Sequence, residues 1–423
     1  MEREIELTTA NGVKIYSYKN PALHGFYISL FVKAGVMYES DRECGITHFF
    51  EHLAIRNINK LYGMSLYSEL DKRGLEFNAS TFSEMVQFYI GGSSEQFSFG
   101  SEVITKVLEP LVLSKSETDA ERKRIKSEIR EGDEKTSLVS FTSATVFNKT
   151  PLSRSILGTN KAIDGISLTK LESYRKRVLS AENIFFYITG NFTDADLEEL
   201  SSRIDKYELG DMPMRDNMAE IPADFGKRPN DVFIKNADYT ILRFTFDIDM
   251  TRFSVAEIDL LYDILLSGYN SKLFSELSEK RGLCYDITGG TERYKNIGTL
   301  HFSFELKERD VYDAAKIVVD ILSEIKSKTL KPDECMKAGY VSNAYMLYDD
   351  FRELNFTFAY DNHIMGENYS SIEDRIERYK SITPERIREV ASEIFKRANL
   401  TLTAKGSKKK IDKDRILAEL KRL

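Results

Sequence analysis

His48-Phe49-Phe50-Glu51-His52 commits two of the chain's five histidines to one helical turn and sets a carboxylate between them. Residues four apart share a helix face, so both imidazoles can turn a nitrogen toward one ion while Glu51 stays within reach of a water beside it. The order is H-x-x-E-H, the reverse of the commoner H-E-x-x-H arrangement. The chemistry such a turn supports is zinc binding with a built-in general base. Phe49, Phe50 and Leu53 on the same stretch also read as an ordinary buried stripe, in which the histidines would be structural.

A catalytic zinc takes three protein ligands, so a third donor must come from elsewhere. The segment 116–134 is highly charged and strongly helix-forming, with Ser116 or Thr118 as its expected N-cap. Glu121 and Glu128 lie seven apart within it. Two helical turns return them to one face, as a ligand and a carboxylate supporting a ligating imidazole would require. Carboxylates on a charged helix are more commonly just solvated.

GITHFFEHL (45–53) with ERKRIKSEI (121–129) resembles the zinc helix and third-ligand helix of the pitrilysin or insulinase metallopeptidases. FNAST (77–81), PLSRSILGT (151–159), YITGNF (187–192) and NSKLFSELSEKRGLCYDI (270–287) carry the resemblance along nearly the whole chain. It implies Zn2+ as cofactor, with His48, His52 and Glu128 as ligands, Glu121 behind a ligand and Glu51 as the base. It also implies an active-site edge strand over Asn78, Ala79, Ser80 and Thr81, whose backbone would pair with an extended peptide substrate. By residue type alone those four could equally cap a turn.

Members of the family have an arginine and a tyrosine seven residues apart in the second half, where they help bind the substrate carbonyl. Tyr285 matches the tyrosine as a catalytic residue, but Ser278 stands at the arginine position, with Arg281 nearby. A second departure is AIRNIN (54–59), where relatives more often have a glycine after a basic residue. Half-length relatives close a chamber from two chains, as a homodimer or by pairing a metal-bearing subunit with one that supplies the arginine and tyrosine. The expected function is therefore a zinc endopeptidase cleaving peptides or leader segments, as the catalytic subunit of a heterodimer. The alternative is a non-catalytic structural or activating subunit, although such subunits usually lose the H-x-x-E-H residues.

The elements that must position these residues repeat. A strand over 27–39, helices at 45–56 and 64–73, a strand at 86–92, helices at 95–109, 116–134 and 168–179, a buried strand at 183–190 and a helix at 193–206 make the first series. Residues 207–230 lose periodicity and collect proline, glycine and charge, as a linker does. The series then restarts with strand 241–248, helices 254–267 and 271–280, and strand 299–306, giving an approximate repeat of two hundred residues. The expected fold class is α+β: two similar halves, each with helices on a mainly antiparallel sheet, together forming half of a clam-shell chamber. The corresponding domains are a zinc-binding unit over 1–206, the linker over 207–230, and a second unit over 231–423 without a metal site. His301 and His363, in that second unit, have no ligand-like spacing.

Composition bounds the rest. With 42% hydrophobic residues in 423 the chain can bury substantial cores, and its net charge of −7 argues against nucleic acid as a partner. The basic run 405–415 reads as a solvated end. No uninterrupted apolar stretch is long enough to span a membrane, and MEREIELTT lacks the character of an export signal. Cys44, Cys284 and Cys335 form neither a disulfide framework nor a cysteine metal site. A soluble, cytoplasmic protein is expected.

Overall fold

The computed structural model describes residues 3–132, 137–331 and 337–423; Cys335 and residues 133 and 134 of the expected helix lie outside them. Strands β1 (Ile5–Thr8), β2 (Lys14–Lys19), β3 (Gly25–Val32), β4 (Glu76–Thr81), β5 (Val86–Ser93) and β6 (Ile184–Gly190) form one sheet in the order β1-β2-β6-β3-β5-β4. Strands β7 (Val232–Lys235), β8 (Thr240–Asp249), β9 (Thr288–Arg293), β10 (Ile297–Leu306) and β11 (Leu400–Lys405) form a second in the order β7-β11-β8-β10-β9. Dropping β1 leaves the same topology twice. Each sheet is antiparallel except for one parallel pair, β2 with β6 and β7 with β11. Equivalent strands recur about 215 residues later, so the expected repeat and the α+β class are both present.

The central strand β3, GFYISLFV, is buried along its whole length, which suits a run of aromatic and branched residues covered on both faces. One face carries Ile28, Leu30 and Val32 into a core with Phe49, Phe50 and Leu53 of helix α1 (Ile46–Leu61). The other face, with Phe31, Phe185 and Tyr187, is covered by Leu354, Phe358 and Ile364 from the chain's second half. The reciprocal contact also occurs. Helix Leu138–Val146 from the first half lies on β11, with the Thr142 and Thr403 hydroxyls 2.7 Å apart. The halves thus exchange helices, a feature that local periodicity does not encode.

Helix α1 begins where a glycine is required. Gly45 has φ +86°, and a Cβ there would lie 2.8 Å from the Gly158 Cα, so the 151–159 segment presses directly on the start of the helix. The buried Glu39 carboxylate accepts the Gly45 and Thr47 N–H groups at 2.8 and 2.9 Å, satisfying donors of the first turn. After α1 come α2 (Leu66–Arg73), α3 (Phe97–Thr105) and α4 (Lys115–Glu131). The N-cap of α4 is Ser114, not Ser116 or Thr118, because Ser114 and Glu117 form a reciprocal capping box one turn earlier.

The stretch 207–230 holds no helix or sheet strand beyond a single bridge from Gly210 to Ser180. It is nevertheless anchored, since Arg228 makes two 2.7 Å bonds to Asp247 on β8 with both side chains almost fully buried. Within the basic run, Lys408, Lys409, Lys410 and Arg415 are exposed as expected, but Lys405 is buried in β11 and Ile411 enters the second core, followed by Ile416 and Leu420 of helix Lys413–Leu420.

Candidate active site

Helix α1 places His48 and His52 one above the other, with ring centroids 4.6 Å apart. Helix α4 packs across them and brings in Glu128. Its Oε2 lies 3.7 Å from His48 Nε2 and 3.4 Å from His52 Nε2. The three donor atoms all lie within 4.8 Å of one another, and among the described residues no other group of three converges this way. Tetrahedral zinc with bonds of about 2.0–2.1 Å holds its ligand atoms roughly 3.3 Å apart, so two imidazoles and a carboxylate at these separations fit the metal. Burial, with His52 beside it, pushes the His48 imidazole down to about 4, so the ring is neutral near pH 7, as a ligand must be.

Glu121 sits one step behind the donors. Its Oε2 is 3.3 Å from His52 Nδ1, which leaves Nε2 of that ring directed at Glu128. Its Oε1 accepts a 2.6 Å bond from Arg56. Burial works to raise the Glu121 carboxyl, but His52 and Arg56 outweigh it and hold the group below the ordinary carboxylate range. His48 lacks such support among the described residues, where its buried Nδ1 has no hydrogen-bond partner. Arg56 was not anticipated as part of the site. It lies four residues past His52, within the 54–59 segment that departs from the family pattern, and the i, i+4 spacing alone would have placed it on the ligand face.

Glu51 is 8% exposed and faces the sheet edge, where Thr81 donates its hydroxyl to Glu51 Oε2. Burial raises the Glu51 carboxyl, and the Thr81 bond and His52 partly offset this. Strand β4 is the edge of its sheet, paired to β5 on one side only. The expected substrate strand Asn78-Ala79-Ser80-Thr81 is therefore a strand and not a turn cap. Phe77 and Ala79 pack against the core under α1, while Asn78 is exposed and its Oδ1 accepts the Ala79 N–H at 2.9 Å. An open cleft of about 490 Å³ runs past Glu51, His52, Asn78, Glu121 and Glu128.

The structure does not bring Tyr285 to this cleft, whose lining comes wholly from the first half. Tyr285 is 96% exposed beside a separate depression that also holds Ser278, and Ser278 Oγ lies 3.3 Å from the Tyr285 carbonyl. Arg281 is turned away and paired with Glu276. His301 is half-buried on β10, and His363 stacks on Tyr16 at 3.5 Å, so neither approaches a metal cluster among the described residues. Cys44 and Cys284 are buried, and Cys44 Sγ lies 3.9 Å from the Ser155 carbonyl oxygen.

The fold and the site define a chain of peptidase type. Residues 14–160 match the family described as insulinase (peptidase family M16), and residues 165–338 match the domain described as peptidase M16 inactive domain. The chain belongs to peptidase family M16. An uncharacterized zinc protease of Rickettsia bellii is 25% identical over 401 residues, 93% of this chain and 92% of that one. The beta subunit of mitochondrial-processing peptidase from Rattus norvegicus is 28% identical over 203 residues, covering 48% and 40% respectively. In three dimensions a protease from Helicobacter pylori superposes with a TM-score of 0.81 at 17% identity, over 96% of this chain and 100% of that one. Among the described residues no helix is long and apolar enough to cross a membrane.

Proposed function

We propose that the chain is a zinc-dependent endopeptidase, with residues 1–206 as its catalytic part, 207–230 as the linker, and 231–423 as a unit that closes a chamber. The observation that carries this reading is the convergence of the His48, His52 and Glu128 donors within 4.8 Å, with Glu51 bonded to the free edge of a sheet beside them. His48, His52 and Glu128 hold Zn2+, and Glu121 with Arg56 fixes the tautomer and tilt of His52. When bound, the ion supplies Lewis acidity that polarises a scissile carbonyl and acidifies water.

The protein residues do the remainder. An extended peptide pairs with the open side of β4, displacing the Asn78 side chain from the Ala79 N–H, and this sets the scissile bond in register over the cleft. Glu51 takes the proton of the attacking water and returns it to the leaving amine. Burial suits it to that work, because a carboxyl raised above its ordinary value accepts and releases a proton closer to neutral pH.

Among the described residues the cleft takes no lining from the second half of its own chain, so a second half-length chain would complete it: a heterodimer partner would supply both the arginine and the tyrosine, whereas a homodimer would supply Tyr285 with Ser278 in the arginine's place. The test is cleavage of a quenched-peptide library by the purified chain, alone and mixed with a half-length relative from the same organism, with zinc content measured in parallel. Cleavage abolished by a chelator, together with a Glu51→Gln variant that keeps zinc but loses about 10²–10⁴-fold in rate, is the expected result. Full activity in Glu51→Gln would overturn the mechanism.

A further inference from the structure

A cavity of about 730 Å³ lies away from the cleft, where the first sheet, the 207–230 stretch and the second half meet. It shares no lining residue with the cleft. Its apolar wall is Tyr16 of β2, Phe185 of β6, Ile364 and, at the rim, the 58% exposed Met214. The volume falls in the range of small-molecule sites, which are mostly apolar with a few placed polar groups.

Lys33 sits in this lining just past the end of β3 and is only 8% exposed. Among the described residues its ammonium makes no hydrogen bond and no ion pair. Of the other lysines and arginines around the cavity, two are held in ion pairs, while Arg215 is stacked on a ring and its buried Nε has no hydrogen-bond partner among the described residues. Lys14 pairs with Glu6, Lys295 with Asp216 at 3.0 Å, and the Arg215 guanidinium lies 4.7 Å over the Tyr38 ring. Glu182, also in the lining, is exposed and forms no ion pair with Lys33. An ammonium set in a mostly apolar lining is solvated less well than in open water, and an incoming anion improves its surroundings. Burial, together with Lys295, depresses Lys33 below the usual lysine value, and the Asp216 carboxylate in the same lining partly offsets this.

We propose that this cavity is a second ligand site that takes a small amphipathic carboxylate, its apolar body against Tyr16, Phe185 and Ile364 and its carboxylate on Lys33. The shared chemistry is a single carboxylate on an apolar group, and both a free organic acid and the C-terminus of a peptide ending in a large apolar residue provide it. Because the lining is drawn from both halves and the stretch between them, the bound acid ties the three together.

The test is isothermal titration of the full-length, zinc-loaded protein with 4-phenylbutyrate and with its neutral counterpart 4-phenylbutanol. A short peptide ending in phenylalanine is titrated in parallel as free acid and as amide. Saturable one-site binding of an acid, at least tenfold tighter than its neutral counterpart, is expected. Binding by 4-phenylbutyrate alone identifies free acids as the source, and binding by the peptide acid but not its amide identifies peptide termini. Lys33→Met should weaken the acid at least tenfold, leave the alcohol unchanged and leave the melting temperature no lower. Ile364→Trp, which fills the cavity with Lys33 in place, should abolish binding of both. Glu51→Gln and chelation should leave binding intact, so the result stands apart from peptidase activity. Absence of saturable binding by every acid, or unchanged acid binding in Lys33→Met, overturns the proposal.

Discussion

Thr81, on the open edge of β4, donates its hydroxyl to Glu51 Oε2 on α1, so the strand offered to a peptide is bonded to the group assigned as base. Burial raises that carboxyl and the threonine opposes the rise. Thr81→Val removes the opposition, so Glu51 holds its proton to higher pH. The acidic limb of the kcat/KM profile should move to higher pH, and the rate measured on that limb should fall. Thr81→Ser should restore the wild-type limb. A profile unmoved by valine would mean that Glu51 does not set the limb.

Glu121 and Arg56 act on zinc through His52. With Glu121 between His52 Nδ1 and Arg56, Glu121→Gln weakens the acceptor that orients the ring, and Arg56→Ala loosens the acceptor itself. Each should lower zinc affinity about 10–100-fold, read by competition with a fluorescent chelator, with the far-ultraviolet circular dichroism unchanged. Affinity equal to wild type in both variants would leave His52 fixed by α1 alone.

The metal residues were legible because ligand geometry and helix geometry share a period: His48 and His52 are one turn apart, and Glu121 and Glu128 two turns apart. The repeat was legible in the order of strands and helices. What lay beyond the sequence depends on packing between distant segments. The helix Phe351–Phe358 sits on the first sheet and Leu138–Val146 on the second, and an apolar helix face does not say which sheet will cover it. Thr81 was read as backbone for substrate, whereas its hydroxyl meets Glu51 because strand parity turns it toward α1. Ser114 took the N-cap because Glu117 stands three residues on, a capping-box pattern one turn before the expected start.

Tyr285 and Ser278 lie on the second half's own surface, outside the cleft of the same chain. In the proposed two-chain arrangement, a guanidinium placed there would serve the cleft of another chain. Ser278→Arg carried on a Glu51→Gln chain should therefore stimulate wild-type protein added to it, relative to Glu51→Gln alone, by tenfold or more. A charged donor at a developing oxyanion is worth on the order of a hundredfold. The readout is peptide cleavage against mixing ratio. Stimulation seen only when Ser278→Arg and an intact Glu51 share one chain would mean that the pair acts within a chain.

Arg228 and Asp247 form a buried pair that fixes the end of the 207–230 stretch to the second sheet. Asp247→Ala leaves the buried guanidinium with only Asp224, 2.8 Å from its Nη1 and partly exposed, a loss bounded by the roughly 3–5 kcal/mol of breaking a buried pair outright. The unfolding midpoint in urea should fall accordingly, while zinc affinity, set by α1 and α4, should not change. Loss of zinc in step with stability would tie the metal site to the second half.

Glu84, in the turn between β4 and β5, is 6% exposed and accepts a 2.9 Å bond from Tyr360 of the second half. Burial pushes its carboxyl up to about 7, with the Tyr360 bond pulling the other way and Glu292 adding to the rise. The folded chain therefore binds this proton more tightly than the unfolded chain, whose carboxyl titrates near its ordinary value. The resulting stabilisation is complete below that ordinary value and is lost as pH rises through about 7. Glu84→Gln keeps a neutral side chain at every pH, so it should be nearly neutral at pH 5 and stabilising at pH 8 by about 2–3 kcal/mol, measured as the shift in urea midpoint. Because Glu84 bonds a residue of the other half, the gain at pH 8 should come with slower proteolytic nicking of the segment around Tyr360. An equal effect of Glu84→Gln at both pH values would show that the carboxyl is ionised throughout the range and that the contact with Tyr360 does not respond to pH.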